Sequence, residues 1–258
     1  MWYILTALVF SVVLVGAYEL LYAKYGGETV PVPDIPRSEQ VYGEKANELR
    51  YVVMGDSTGV GQGAEYSESI AVKTAEHLTK GYTVRLANVA VSGATTHDVL
   101  HEQVPKVVTQ NPDLVLIAVG ANDVVRLSRI ESVQNDMSTI VAQLHRVNPK
   151  VQIFLTGAPP MGTVPRFLWP LSTLAKLRTD QINQAYKKIT EERNLKLIPL
   201  AEKAESAFLS HPEYFASDNF HPNSQGYGVW SDIINYELER VYRDSTKRPD
   251  IQDSNKLL

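Results

Sequence analysis

Two patterns of apolar and polar positions alternate along this chain. Short apolar runs at 50–54, 83–89, 114–119, 152–156 and 195–198 are too brief for helices and rich in Val, Ile and Leu, so they are read as strands. Between them, 67–79, 96–108, 131–147 and 174–192 carry apolar residues at helical spacing, and a further helical pattern over 223–242 follows the last strand. Strands that are apolar on both faces, separated by amphipathic helices, pair into a parallel sheet covered on both sides. The expectation is an α/β domain of three layers, α/β/α, with a doubly wound parallel sheet of about five strands.

The ends of the chain depart from this alternation. Residues 3–21 are nearly all apolar with one charge, Glu19, and as a helix they extend roughly 28 Å, enough to span a bilayer core. Trp2 and Tyr3 at one end and Tyr18, Tyr22 and Tyr25 at the other resemble interface anchors. Val15-Gly16-Ala17 offers small residues for a signal-peptide cut, but no Lys or Arg precedes the run. A single-pass membrane anchor with an extracytoplasmic domain is therefore expected, and secretion after signal cleavage is the alternative. Gly26, Gly27, Pro31, Pro33 and Pro36 mark an extended tether. The expected division is an anchor or signal at 1–25, a tether at 26–48, a domain at 49–245 and a polar tail at 246–258. Within the domain, 158–172 is too broken by proline for a regular element, yet it carries Met161, Phe167, Leu168 and Trp169.

Composition narrows the function. A chain of 258 residues with 44% hydrophobic and 21% charged residues suits one medium domain, and a net charge of −4 offers no footprint for nucleic acid. The absence of cysteine excludes disulfides, thiolate metal sites and a cysteine nucleophile.

In doubly wound sheets, ligands gather beyond the carboxyl ends of the strands. The first strand runs into Gly55-Asp56-Ser57-Thr58-Gly59, the second into Ser92-Gly93-Ala94 and the third into Gly120-Ala121-Asn122-Asp123, while Asp218-Asn219-Phe220-His221-Pro222 precedes the last helix. Ester cleavage needs such parts. A serine hydroxyl attacks once a base removes its proton, and His221 is the candidate base for Ser57. Asp218 could hold the imidazole tautomer. The Asn122 side chain and the backbone N–H groups of Ser57 and Gly93 could receive the charge of a tetrahedral intermediate. Taken singly, Gly-Asp-Ser and Gly93 also fit turns, and Asn122-Asp123 also fits a helix cap.

Together the four blocks resemble the SGNH hydrolase superfamily, also called GDSL lipases and esterases. The resemblance covers the chain from about Leu49 to Arg243. It implies a flavodoxin-like α/β/α fold, catalytic Ser57, Asp218 and His221, and an oxyanion hole of Ser57, Gly93 and Asn122. Thr58 departs from the leucine of the family name, which bears on lipase-like subgroups rather than on the nucleophile.

Gly55 to Gly59 also satisfies the G-x-S-x-G elbow of α/β-hydrolases, but that fold needs several strands before its serine and places its acid and histidine on separate loops. A tethered binding module that lost turnover is the alternative from another class. The expected reaction is hydrolysis of a small-molecule, lipid or sugar ester through an acyl-serine, with no cofactor and no metal. His97 and His101 share a helix face but lack the H-E-x-x-H glutamate.

Overall fold

The apolar runs form the strands of one sheet because each can be covered on both faces. The computed structural model describes residues 2–193 and 195–246. Its sheet has six strands in the order β1-β3-β2-β4-β5-β6, made by β1 (Gln40–Tyr42), β2 (Glu48–Gly55), β3 (Thr83–Asn88), β4 (Leu114–Ala118), β5 (Gln152–Leu155) and β6 (Lys196–Leu197). Every residue of the central strand β4 is buried. β2 to β6 are mutually parallel, and their succession across the sheet is that of flavodoxin-like folds, with winding direction reversing between β2 and β4.

The helices are α1 (Trp2–Tyr25), α2 (Ser57–Val60), α3 (Ile70–Leu78), α4 (Thr96–Asp98), α5 (Val104–Val108), α6 (Ala121–Val125), α7 (Ile130–Val147), α8 (Leu171–Arg193), α9 (Leu200–Ser210) and α10 (Ser224–Thr246). α10 packs on α3 and α9, whereas α7 packs on α5 and α8, which gives one group of helices for each face of the sheet. Ser69 caps α3 by accepting from the Val72 N–H.

The sheet gains a sixth strand where a tether is expected. β1 pairs antiparallel with β3 at the sheet edge. Arg85 of β3 forms ion pairs with Glu39 and Glu48, and the Thr83 hydroxyl bonds both main-chain groups of Lys45. A strand of three residues beside prolines carries no usable alternation, so only its partners reveal it.

The expected membrane anchor is corrected. Among the described residues, no helix is long and apolar enough to cross a membrane. Glu19 interrupts the apolar run of α1 and is buried, 5% exposed, while the end of the helix is tied to the rest of the chain by Arg166, whose Nη2 donates to the Lys24 carbonyl at 2.8 Å. The single-pass topology and the extracytoplasmic placement drawn from it fall with the span. The polar tail beyond Thr246 lies outside the described residues.

A π-turn, Val99–Gln103, interrupts the helix between α4 and α5 and delivers the fully buried Gln103 to the end of β2. Its Oε1 accepts from the Gly55 N–H and its Nε2 donates to the Gly55 carbonyl, both at 2.8 Å. Gln103→Ala leaves the buried Gly55 N–H unpaired, while the Gly55 carbonyl keeps the Val91 N–H at 3.1 Å, so unfolding free energy in urea should drop by about 1–3 kcal/mol. A change under about 1 kcal/mol would mean that water replaces the amide.

Candidate active site

At the end of β2 the chain turns sharply into α2. Gly55 has φ +142, and a Cβ there would collide with the Ala118 carbonyl of β4, so only glycine permits this approach. Asp56 is the N-cap of α2: its Oδ1 accepts from the Thr58 N–H at 2.8 Å, and its Oδ2 accepts from the Gly120 N–H at 3.2 Å. One carboxylate thus joins the turn that carries Ser57 to the turn after β4. Asp56 is fully buried, and burial pushes its carboxyl up to about 6 against the pull of the Thr58 and Gly120 hydrogen bonds.

Asp218 and His221 share one loop before α10. Asp218 Oδ2 lies 2.6 Å from His221 Nδ1, while Oδ1 accepts from the N–H groups of Phe220 and His221 at 3.0 Å each. Burial raises the Asp218 carboxyl, but these hydrogen bonds and the His221 charge outweigh it and hold the group below its ordinary range. Phe220 stands edge-on to the imidazole with centroids 4.9 Å apart. The loop is closed by the Ala216 N–H, which donates to the His221 carbonyl at 2.8 Å.

The glycine block after β3 meets the start of α6. Asn122 Nδ2 donates to the Ala94 carbonyl at 3.2 Å, and Arg126 Nη2 donates to the Gly93 carbonyl at 2.9 Å. Gly93 adopts φ +85. Asn122 is not a cap: Gly120 holds the N-cap position and Asn122 lies inside α6. Asp123 is instead structural. Its Oδ2 accepts from the Thr96 N–H and hydroxyl at 2.9 and 2.8 Å, Thr96 Oγ1 lies 2.7 Å from the Tyr186 hydroxyl, and burial raises the Asp123 carboxyl.

Ser57, Thr58, Met161, Phe220 and His221 line one small cavity of about 20 Å³. A cleft of about 340 Å³ between α8 and α9 shares Pro160 with it and contains none of the motif residues, so the larger volume and the motif residues lie apart. The segment 158–172 divides. Met161 is buried at the cavity, Phe167 packs edge-on against Phe220, and Trp169 is 76% exposed. The His97 and His101 rings lie 4.3 Å apart, tilted at 54°, with His97 Nδ1 3.2 Å from Asp136, and no metal-binding cluster of three or more such side chains occurs among the described residues. Gln103 and the capping role of Asp56 were missed from sequence. The Asp-before-helix pattern could have shown the second, whereas nothing local points to the first.

The profile of the GDSL-like Lipase/Acylhydrolase family matches residues 53–229. A GDSL-like esterase of Mycobacterium tuberculosis is 28% identical over 193 residues, 72% of this chain and 60% of that protein. An arylesterase of Vibrio mimicus is 25% identical over 195 residues, 73% of this chain and 88% of that protein. The crystal structure of a lipase/acylhydrolase from Enterococcus faecalis superposes with a TM-score of 0.60 at 22% identity, covering 75% of this chain and 96% of that one, which supports the fold.

The raised Asp56 carboxyl has a signed consequence for stability. Its contribution is intact below about pH 4, where both folded and unfolded states hold the proton, and is lost as pH rises through about 6. Measured against Asp56→Asn, the unfolding free energy of the unmodified chain should fall by up to about 3 kcal/mol between pH 4 and pH 7. A flat difference would show a carboxyl left at its ordinary value, and a rise with pH one held ionised.

Proposed function

The chain belongs to the GDSL-like lipase/acylhydrolase family, and from that premise we propose that it is an esterase that cleaves carboxylic esters through an acyl-Ser57 intermediate. The observation that carries the mechanism is the 2.6 Å contact between Asp218 and His221 on the cavity that Ser57 also lines. Both esterase-named relatives support the reaction class. The proposed catalytic unit is 49–245, with Gln40–Tyr42 adding an edge strand.

Asp218 accepts the His221 Nδ1–H, so the neutral ring presents Nε2 as the base. As Ser57 Oγ attacks the ester carbonyl, its proton passes to Nε2, and Asp218 stabilises the imidazolium. The carbonyl oxygen becomes an oxyanion, received by the N–H groups of Ser57 and Gly93 and by Asn122 Nδ2. Collapse expels the alcohol, which takes the proton from His221. Water then attacks the acyl-serine with His221 again as base, and the acid and free Ser57 are released. Acyl transfer to another alcohol would use the same steps. The substrate is a small-molecule, lipid or sugar ester.

A fluorophosphonate probe should label Ser57, whereas a binding module would stay unlabelled. Ser57→Ala and His221→Ala should each lower kcat by roughly 10⁴-fold or more, with little further loss in the double variant. Strictly multiplying losses would rule out a triad acting as a unit. Asn122→Ala should stay folded and lose about 10²–10³ in kcat with KM little moved. An unchanged kcat per folded molecule would remove Asn122 from the oxyanion hole.

A further inference from the structure

One buried side chain beside the triad joins segments that are remote in sequence. Gln62, 9% exposed, donates from Nε2 to the Val30 carbonyl at 3.2 Å. A carbonyl only accepts, so this contact fixes the orientation of the amide and turns Oε1 toward Ser92. The Ser92 hydroxyl donates to it at 2.5 Å. The main chain of Gln62 is tied to the nucleophile turn: its N–H donates to the Ser57 carbonyl at 3.1 Å, and its carbonyl accepts from the Tyr227 hydroxyl of α10 at 2.9 Å. The next residue, Gly63, has φ +101 and packs so closely on His221 and Pro222 that a Cβ would collide with them.

The geometry points to Gln62 as a positioning residue that holds the Ser92–Gly93 peptide against the Ser57 turn. The N–H of that peptide is the Gly93 N–H, so the orientation of Ser92 decides where this donor points. Gly93, at φ +85 and without a Cβ, has little of its own to restrain it. Arg126 and Asn122 hold the glycine block from the α6 side, through the Gly93 and Ala94 carbonyls. Gln62 holds it from the other side and refers it to the backbone of the nucleophile. The result is that two oxyanion donors from different strands keep a fixed separation before substrate arrives. This inference rests on the reading of Ser57 as nucleophile with the Ser57 and Gly93 N–H groups as oxyanion donors.

The test is steady-state kinetics on the full chain with a soluble aryl ester, kcat being normalised to sites titrated by a fluorophosphonate. Gln62→Ala and Ser92→Ala should each lower kcat by about 10–100-fold, less than the loss of a donor itself, with KM within about threefold. Because they break one contact, the double variant should lose little more than either single variant. Ser92→Thr keeps the hydroxyl and should retain most of the rate. Full kcat in Ser92→Ala, multiplying losses in the double variant, or no recovery with Ser92→Thr would each overturn the role. If Gln62→Ala fails to fold, Ser92→Ala at the partly buried position decides alone. Failure of the underlying reading is distinct: the unmodified chain would then not label at Ser57 and Ser57→Ala would keep its hydrolysis.

Discussion

The close approach of β2 and β4 at their carboxyl ends is the constraint on which the site depends. Gly55 lies against the Ala118 carbonyl, the Asp56 N–H donates to that same carbonyl at 2.9 Å, and Asp56 reaches across to the Gly120 N–H. These contacts lock two turns that carry Ser57 and Asn122 into one unit. A parallel sheet brings the strand ends together; the buried carboxylate and the Gln103 amide then satisfy the main-chain groups that turning inside a packed interior would leave unpaired.

That arrangement has a cost in electrostatics. Asp56 and Asp123 are both buried and both raised by desolvation, with the charge of Asp123 adding to the rise of Asp56 and that of Asp98 to the rise of Asp123. Neither forms a salt bridge among the described residues; main-chain N–H groups and the Thr96 hydroxyl do the compensating. Rigid, fully hydrogen-bonded carboxylates of this kind hold a site in place at some expense of stability. Asp218 differs because it accepts three hydrogen bonds within its own loop and stays below its ordinary range.

The histidine loop is joined to this platform by α10 rather than by the sheet. Tyr227 Oη reaches the Ser57 and Gln62 carbonyls, and Gly63 permits close contact with His221. The loop and the Ser57 turn are more than 150 residues apart in sequence, with Tyr227 and Ser57 separated by 170 positions. Their mutual placement is a property of packing, carried by the Tyr227 hydroxyl and by the close approach of Gly63 to His221 and Pro222.

The sequence alone determined the five parallel strands, most of the helices that flank them, and the residue blocks Ser57, Gly93, Asn122, Asp218 and His221, because periodicity and short motifs are local and survive without coordinates. It led astray where length and apolarity were read without packing: residues 3–21 counted as a span, yet Glu19 is buried and the helix end is bonded to Arg166. β1 is too short to show a period and exists only through its pairing with β3, whereas α9 carries Leu200, Ala204 and Phe208 at helical spacing and went unread. Only the tertiary structure could show that Gln103 completes Gly55, that Asp56 spans to Gly120 and that Gln62 bridges Val30 to Ser92. A hydrogen bond between residues far apart in sequence leaves no periodic trace along the chain, since its partners become neighbours only when the sheet winds and the helices close over it.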